Sequence, residues 1–164
     1  MNTVTATIVQ PDGRGPPVPT AARVTGHFVM LRCDSLRLLL PQQDVGAAEY
    51  IEGVPRAGPA PGFFEYGAGG SLRHVIALSG QMTPLAAFPA DRFVLTRLNV
   101  EGSDLYFAWN EVRVLIAAEL QPRLLPPALR AAGGPIAAYV ERDGEVLLCS
   151  TGAQVMTYAA AGGS

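Results

Sequence analysis

The sequence predicts an all-β protein. Many short apolar runs, rich in β-branched and aromatic residues, follow one another at close spacing. Eighteen glycines and 14 prolines supply turns between them. This pattern is typical of β-barrels and sandwiches. With 164 residues, 49% of them hydrophobic, the chain is long enough for one compact core or two small packed barrels.

The rest of the chain is organised around residues 75–88, which predict a strand, a tight bend and a second strand. Two apolar runs flank the Ser79-Gly80 step, where glycine allows backbone angles that other residues resist. Pro84 cannot donate a ladder hydrogen bond. The second arm is therefore predicted to be an edge strand.

The residues before this stretch predict a hairpin that follows a tail. Residues 1–22 carry turn-forming and proline-rich sequence with little to pack, so we expect a flexible N-terminal tail. Residues 23–31 and 35–40 are β-rich and predict a hairpin. Residues 42–51 predict a polar connection and then a strand or a helical turn. Residues 53–70 predict a long loop that aromatic side chains pin to the core.

The second half of the chain predicts further strands and one helix. The predicted strands are residues 91–98, 105–109, 112–117, 136–141 and 145–149. An Asp143-Gly144 turn joins the last two as a hairpin. Residues 153–160 suit a short C-terminal helix, and we expect residues 161–164 to be disordered.

Charge and composition exclude several functions. The formal net charge of −2 gives no electrostatic basis for binding nucleic acid or an anionic membrane. The sequence contains no lysine, so every basic side chain apart from histidine is an arginine. A phosphate-loop nucleotide site and a Schiff-base mechanism both need a lysine amine within the chain. Neither is expected here.

The cysteine, histidine and serine residues indicate a binding protein rather than an enzyme. Cys33 and Cys149 have no C-x-x-C spacing and predict two buried thiols in a reducing cytosol. Neither His27 nor His74 has cysteines or carboxylates at ligand spacing, so no metal and no cofactor are expected. No G-x-S-x-G elbow precedes a helix. We therefore predict no catalytic residue, and the absence of a signal peptide or an apolar span predicts a cytoplasmic protein.

Four segments, in order, resemble the CheW-like chemotaxis adaptor domains. Residues 75–85, VIALSGQMTPL, resemble the central hairpin of the family, which typically reads V-I-N-L-R-G-x-x-x-P-V. Residues 38–45 resemble an early strand with its D-V turn, and residues 107–112 resemble the G-L-x-V-D-x-V segment. Residues 136–155 are similar to the closing hairpin and the terminal helix. The resemblance spans residues 24–158.

The resemblance implies a fold and a role. The implied fold is two SH3-like five-stranded β-barrels packed together with a short C-terminal helix, over residues 23–160, with the boundary between the barrels left open. The implied role is a non-enzymatic adaptor that couples chemoreceptors to a histidine kinase, in chemotaxis or in type IV pilus twitching motility. Its partners would be the regulatory domain of the kinase and the cytoplasmic tip of the receptor. The alternative is a barrel that binds a small apolar molecule.

The chain departs from the family at three positions. Ser79 replaces the arginine of the R-G step, Ala77 replaces the asparagine two positions earlier, and Asn110 replaces an aspartate. An arginine can clamp a carboxylate with two hydrogen bonds, and serine cannot reproduce that geometry. A divergent or specialised adaptor is expected.

The partner-binding residues are carried over from the family pattern. The hairpin tip at Ser79 and Gly80 and the flanking Asn110 and Val112 are the first candidates. A second, apolar patch consists of Val45 and Ala48. A plain core role stays open for each apolar residue of these sets.

Overall fold

The computed structural model describes residues 22–161. Residues 1–21 of the predicted tail and residues 162–164 of the predicted disordered end lie outside the described residues. Within residues 22–161 the chain forms twelve strands and one α-helix. The all-β class with a short C-terminal helix is confirmed.

The strands follow one another closely along the chain. They are β1 (Val24–Cys33), β2 (Leu36–Pro41), β3 (Val45–Tyr50), β4 (Arg56–Ala57), β5 (Phe63–Ala68), β6 (Ser71–Ala77), β7 (Val94–Leu98), β8 (Leu105–Trp109), β9 (Glu111–Leu120), β10 (Arg123–Leu124), β11 (Ala138–Arg142) and β12 (Glu145–Cys149). The helix, α1, is Gly152–Ala160, and 3-10 turns occupy Gln42–Asp44 and Pro127–Leu129.

The strands form two six-stranded sheets. The first sheet has the order β10-β11-β12-β2-β1-β9, and the second has the order β3-β7-β8-β6-β5-β4. Neighbours are antiparallel except for the β12–β2 and β6–β8 pairs, which are parallel. Each sheet has six strands rather than the predicted five because a two-residue strand, β10 or β4, extends one edge. Closure of each sheet into an SH3-like barrel stays a prediction.

The second sheet is an insertion within the first. Strands β3 to β8 are consecutive in the chain, whereas the first sheet takes β1 and β2 from before them and β9 to β12 from after them. The chain therefore crosses between the sheets twice. One crossing is the turn Gln42–Asp44, and the other is Asn110, the single residue between β8 and β9.

Each sheet buries both of its faces. Successive side chains of a strand point to opposite faces, so Met30 and its neighbour Leu31 enter different cores, as do Val75 and Ile76. One core belongs to the first sheet and one to the second. The third core joins both sheets to α1, and its largest fully buried side chains include Leu31, Leu40, Ile76, Phe107 and Trp109. This shared core holds the two sheets together.

The predicted second arm of the hairpin at residues 75–88 is wrong. The first arm is β6, but after the bend only Pro84 pairs, in an isolated antiparallel bridge to Leu78. Leu85 donates its backbone N–H to the carbonyl of Ala77 at 2.8 Å, and no regular strand is formed before β7. The bonds at Thr83 and Leu85 flank Pro84, so the missing N–H of Pro84 faces away from β6, and pairing ends because the described residues after Leu85 form no further bonds of this ladder.

The predicted loop at residues 53–70 is also wrong in part. It contains β4 and β5, and β5 pairs along its whole length with β6. Phe64 and Tyr66 on β5 are buried in the core of the second sheet. The glycine and proline residues around β5 favour a loop, but β5 forms a strand because it pairs with β6.

The start of α1 is fixed to the first crossing. Thr151 and Gln154 form a capping box, in which the Thr151 hydroxyl accepts the Gln154 N–H at 3.2 Å. The Asp44 carboxylate accepts the Gly152 N–H at 2.9 Å. A Cβ atom at Gly152 would lie 3.2 Å from the Asp44 carbonyl oxygen, so a larger residue would displace Asp44 slightly. Asp44 therefore positions the helix over the shared core.

We expect Asp44→Ala to lower the free energy of unfolding by about 1–2 kcal/mol, because it removes a charged acceptor from the N-terminus of α1. The measurement is urea unfolding followed by circular dichroism. The control is Asp104→Ala, since the side chain of Asp104 is 96% exposed and its replacement should change stability by less than about 0.5 kcal/mol. Equal effects of the two variants would contradict the role given to Asp44.

Candidate functional site

The bend after β6 is a tight turn that Ser79 organises. The Ser79 N–H donates to the Thr83 carbonyl at 2.8 Å, and the Ser79 carbonyl accepts the Met82 N–H at 2.9 Å. The Ser79 hydroxyl accepts the N–H groups of Gln81 and Thr83 at 3.1 and 3.2 Å. The residue at the family's arginine position is thus occupied in shaping the hairpin tip, Ser79 to Thr83.

A buried arginine lies directly behind the hairpin tip. The side chain of Arg92 is 0% exposed. Its Nη1 lies 3.0 Å from carboxylate oxygens of Asp34 and Asp91 and 3.0 Å from the side-chain oxygen of Asn110. Its Nη2 donates to the Leu78 carbonyl at 2.8 Å. One guanidinium therefore contacts four acceptors, of which Asp91 is its neighbour in sequence and the other three come from separate parts of the chain.

Asp34 and Asn110 extend this network in both directions. The second carboxylate oxygen of Asp34 accepts the Gly80 N–H at 3.1 Å, and the Asp34 N–H donates to the side-chain oxygen of Asn110 at 2.6 Å. The side-chain amide of Asn110 donates to the Asp91 carbonyl at 2.7 Å. We call Asp34, Leu78, Arg92 and Asn110 the Arg92 junction. It joins the β1–β2 turn of the first sheet to the second sheet at the second crossing.

Two residues at this place have unusual backbone conformations. Asp34 has φ 54° and Met82 has φ 62°, in the left-handed region that residues with a Cβ atom disfavour. Aspartate tolerates this region better than most residues, but methionine does not have that advantage. Such conformations persist only where surrounding contacts enforce them. The tip and the junction are thus held in a defined geometry.

The electrostatics of the junction follow from its contacts. The hydrogen bond from Arg92 holds the pKa of the Asp34 carboxyl below its usual value, and the charge of Arg92 and the Gly80 N–H act in the same direction.

Burial raises the pKa of the Cys33 thiol to about 12, and this thiol donates to the Ser79 carbonyl at 3.4 Å. Burial likewise raises the pKa of Cys149 to about 11. Both groups are therefore protonated thiols at neutral pH rather than nucleophiles.

An open apolar groove of about 330 Å³ lies on one side of the hairpin tip. The tip forms one wall through Gly80, Gln81 and Met82. The other walls come from the segment after β10, from β2 and β12, and from α1. Their apolar side chains include Leu36, Leu125, Leu129, Ile136, Leu148 and Tyr158. Two further depressions, beside Glu119 and beside Glu101, are lined mainly by charged and polar residues.

The structure brings three of the predicted site residues, Ser79, Gly80 and Asn110, together. Ser79 and Gly80 form the tip, and Asn110 is connected to Gly80 through Asp34. Val112 is the second residue of β9 after the crossing at Asn110, and it packs partly buried against the shared core. Asn110 is itself 9% exposed. Its position indicates that it supports the surface more than it forms it.

The second predicted patch lies elsewhere. Val45 and Ala48 are on β3, an edge strand of the second sheet, and take no part in the hydrogen bonds of the junction. Val45 is partly buried and packs against the shared core, whereas Ala48 is exposed. A partner-binding role for either residue stays a prediction.

Sequence reasoning missed the two charged residues that hold the site. Arg92 falls within the predicted strand at residues 91–98, and Asp34 lies between the two arms of the predicted hairpin, residues 23–31 and 35–40. They are 58 positions apart, so their contact leaves no local pattern. One sequence feature does point to Arg92: the family's arginine is absent at Ser79, so another arginine could supply a positive charge near the tip.

Within residues 22–161, no three or more His, Cys, Asp or Glu side chains are grouped so that they could hold a metal ion. In the same range, no helix has the length and apolar character needed to cross a membrane.

The two sheets, the inserted order of their strands and the terminal helix define a CheW-like fold. In particular, the fold is similar to the crystal structure of the scaffolding protein TtCheW from Thermoanaerobacter tengcongensis. The TM-score is 0.51 at 13% sequence identity, and the alignment covers 77% of this chain and 89% of that chain. No protein-family model matches this chain, and no curated protein matches its sequence. The predicted CheW-like fold is confirmed in a divergent form.

The lowered pKa of Asp34 predicts a pH dependence of stability. Because this pKa is lower in the folded than in the unfolded chain, the carboxylate stabilises the fold above its unfolded pKa. That stabilisation is lost over the acid range in which the pH falls from the usual aspartate pKa of 3.8 through the lower folded pKa. We expect Asp34→Asn, which keeps an acceptor and tolerates a positive φ, to lose less stability over this range than the wild type.

Thermal midpoints of both proteins across this pH range measure the difference. Asp104→Asn is the control, because its exposed side chain should leave the pH profile of the wild type unchanged. Parallel profiles for the wild type and Asp34→Asn would show that Asp34 has no such role.

Proposed function

We propose that this chain is a non-enzymatic signalling adaptor that couples chemoreceptors to a histidine kinase, in a chemotaxis or twitching-motility system. Its partners would be the regulatory domain of the kinase and the cytoplasmic tip of a receptor, which implies a cytoplasmic location. The CheW-like fold supports this proposal, as do the four family-like segments in their order. The observation that carries it is the apolar groove beside a rigidly held hairpin tip.

The groove has the properties of a protein-docking surface. Leu129, which lines it, is 69% exposed, a large apolar area that a partner would remove from water. The hairpin wall is fixed by backbone hydrogen bonds and by the Arg92 junction, so little conformational freedom is lost on docking. The carboxylate of Asp34 is 46% exposed and supplies a polar rim beside Gly80. An apolar centre with a polar rim is the common arrangement of such interfaces.

The predicted site residues take different parts in this proposal. Gly80 lines the groove and would contact the partner directly. Ser79 and Asn110 would act by shaping the tip. Val112 would flank the tip beyond Asn110. The patch of Val45 and Ala48 would belong to a second contact surface, since an adaptor must hold two partners. Ser79 also leaves the tip without a positive charge, so a partner carboxylate would not be clamped there.

A second candidate function is the binding of a small apolar molecule in the same groove. The volume of about 330 Å³ is within the range of small-molecule sites, about 300–1,000 Å³. The groove is open to solvent rather than enclosed, which favours a protein partner. Native mass spectrometry of the purified chain distinguishes the two, because a retained small molecule adds a discrete mass.

We expect Leu129→Glu to weaken binding to the kinase regulatory domain or to the receptor fragment at least tenfold, about 1.4 kcal/mol, because it places a charge in the apolar groove. Isothermal titration calorimetry with the purified fragments measures this change. Leu129 is exposed, so the substitution should leave the thermal midpoint almost unchanged.

The matched control is Leu72→Glu, which changes another exposed leucine, 52% exposed at the start of β6. It should bind both fragments with wild-type affinity. If correctly folded wild-type protein binds neither fragment, the adaptor function is wrong. If it binds, and the two variants bind equally well, the groove is not the docking site.

A further inference from the structure

We propose that Arg92 is the positioning residue of the hairpin tip, and that it sets the wall of the groove from behind without touching a partner. The assignment of the groove as a docking site rests on the proposed function, but the positioning role does not. It is a property of the isolated chain.

The contacts of Arg92 come from three places in the fold. Asp34 belongs to the β1–β2 turn of the first sheet, the Leu78 carbonyl immediately precedes the hairpin tip, and Asn110 is the second crossing. Asp34 also forms direct hydrogen bonds with Gly80 and with Asn110, and the guanidinium adds one shared, charged partner for all three places. The guanidinium links them through atoms at 2.8–3.0 Å. Arg92 thus fixes the tip relative to both sheets.

Only arginine has the geometry for this link. Its planar group presents donors on three nitrogens, so one nitrogen can face the carboxylates while another faces the carbonyl. Lysine has a single nitrogen, which cannot occupy the positions of both Nη1, beside the Asp34 carboxylate, and Nη2, beside the Leu78 carbonyl. Within the described residues the Nε atom of Arg92 is buried without a hydrogen-bond partner, so the whole link depends on Nη1 and Nη2.

Loss of the guanidinium would act first on the tip. Leu78 is 1% exposed, so its carbonyl would lose a charged donor in a place where water cannot readily replace it. Asp34, no longer held by Arg92, would hold the Gly80 N–H less firmly. The strained conformation of Met82 would then be enforced by fewer contacts. The predicted result is local opening of residues 79–83 rather than global unfolding.

A positioning residue and a contact residue differ in the measurements that their mutation changes. The Arg92 side chain is 0% exposed, so a docked partner cannot reach it. Its removal should nevertheless weaken docking, because a mobile wall must be ordered when the partner binds. Loss of affinity on mutation of a buried residue, together with a loosened tip, is the signature of positioning.

Amide hydrogen exchange measured by NMR tests the proposal. We compare the wild type with Arg92→Met, which keeps the length of the stem, and with Arg92→Lys, which keeps the charge. The control is Arg73→Met, which removes the partner of Glu49 from the second sheet but leaves the junction intact. The probes are the amides of Gly80, Gln81, Met82 and Thr83, compared with those of β8 and α1.

We expect the tip amides to exchange at least about tenfold faster in Arg92→Met, relative to β8 and α1, and to show a smaller increase in Arg92→Lys. Arg73→Met should show no selective increase. If Arg92→Met does not fold, the comparison of Arg92→Lys with Arg73→Met decides. Exchange at the tip that rises no more than in Arg73→Met would overturn the positioning role.

Affinity for the fragment that binds the wild type gives the second readout. Arg92→Met should bind more weakly than Arg73→Met. A loosened tip with unchanged affinity would overturn the link to docking, whereas failure of the wild type to bind any fragment would count against the proposed function and leave the exchange result standing.

Discussion

The buried guanidinium of Arg92 is the interaction on which the candidate site depends. A charge removed from water must be compensated, and here two carboxylates, an amide oxygen and a backbone carbonyl compensate it. Three of these groups belong to different parts of the fold, so satisfying the charge also fixes their relative positions. The geometry of the hairpin tip is thus a consequence of electrostatic compensation.

The arrangement of the two sheets explains why a polar link at the second crossing helps to fix their relative position. The second sheet is an insertion in the first, and the chain passes between them only at Gln42–Asp44 and at Asn110 among the described residues. Apolar packing in the shared core holds the sheets together but has little directional preference. Polar contacts at each crossing fix the orientation of the packed elements, because hydrogen bonds depend on direction. Asp44 orients the helix at one crossing, and Asn110 meets Arg92 at the other.

Local patterns predicted most of the fold. β1 and β2, the β7–β8 pair, the hairpin of β11 and β12 around Asp143-Gly144 and the helix α1 all have their predicted places, because each depends on alternation, turn residues or capping within a short window. β5 was missed because its pairing with β6 outweighs its glycine-rich surroundings. The site was predicted at Ser79 and Gly80 from a resemblance, but Asp34 and Arg92 were not, since a contact across 58 residues is decided by the folded topology.

Sedimentation velocity on a mixture of this chain, the receptor cytoplasmic fragment and the kinase regulatory domain tests the adaptor role most directly. An adaptor with two separate docking surfaces predicts one faster boundary that contains all three proteins and disappears when this chain is left out. The contradicting result is a pair of fragments that sediment identically with and without the chain.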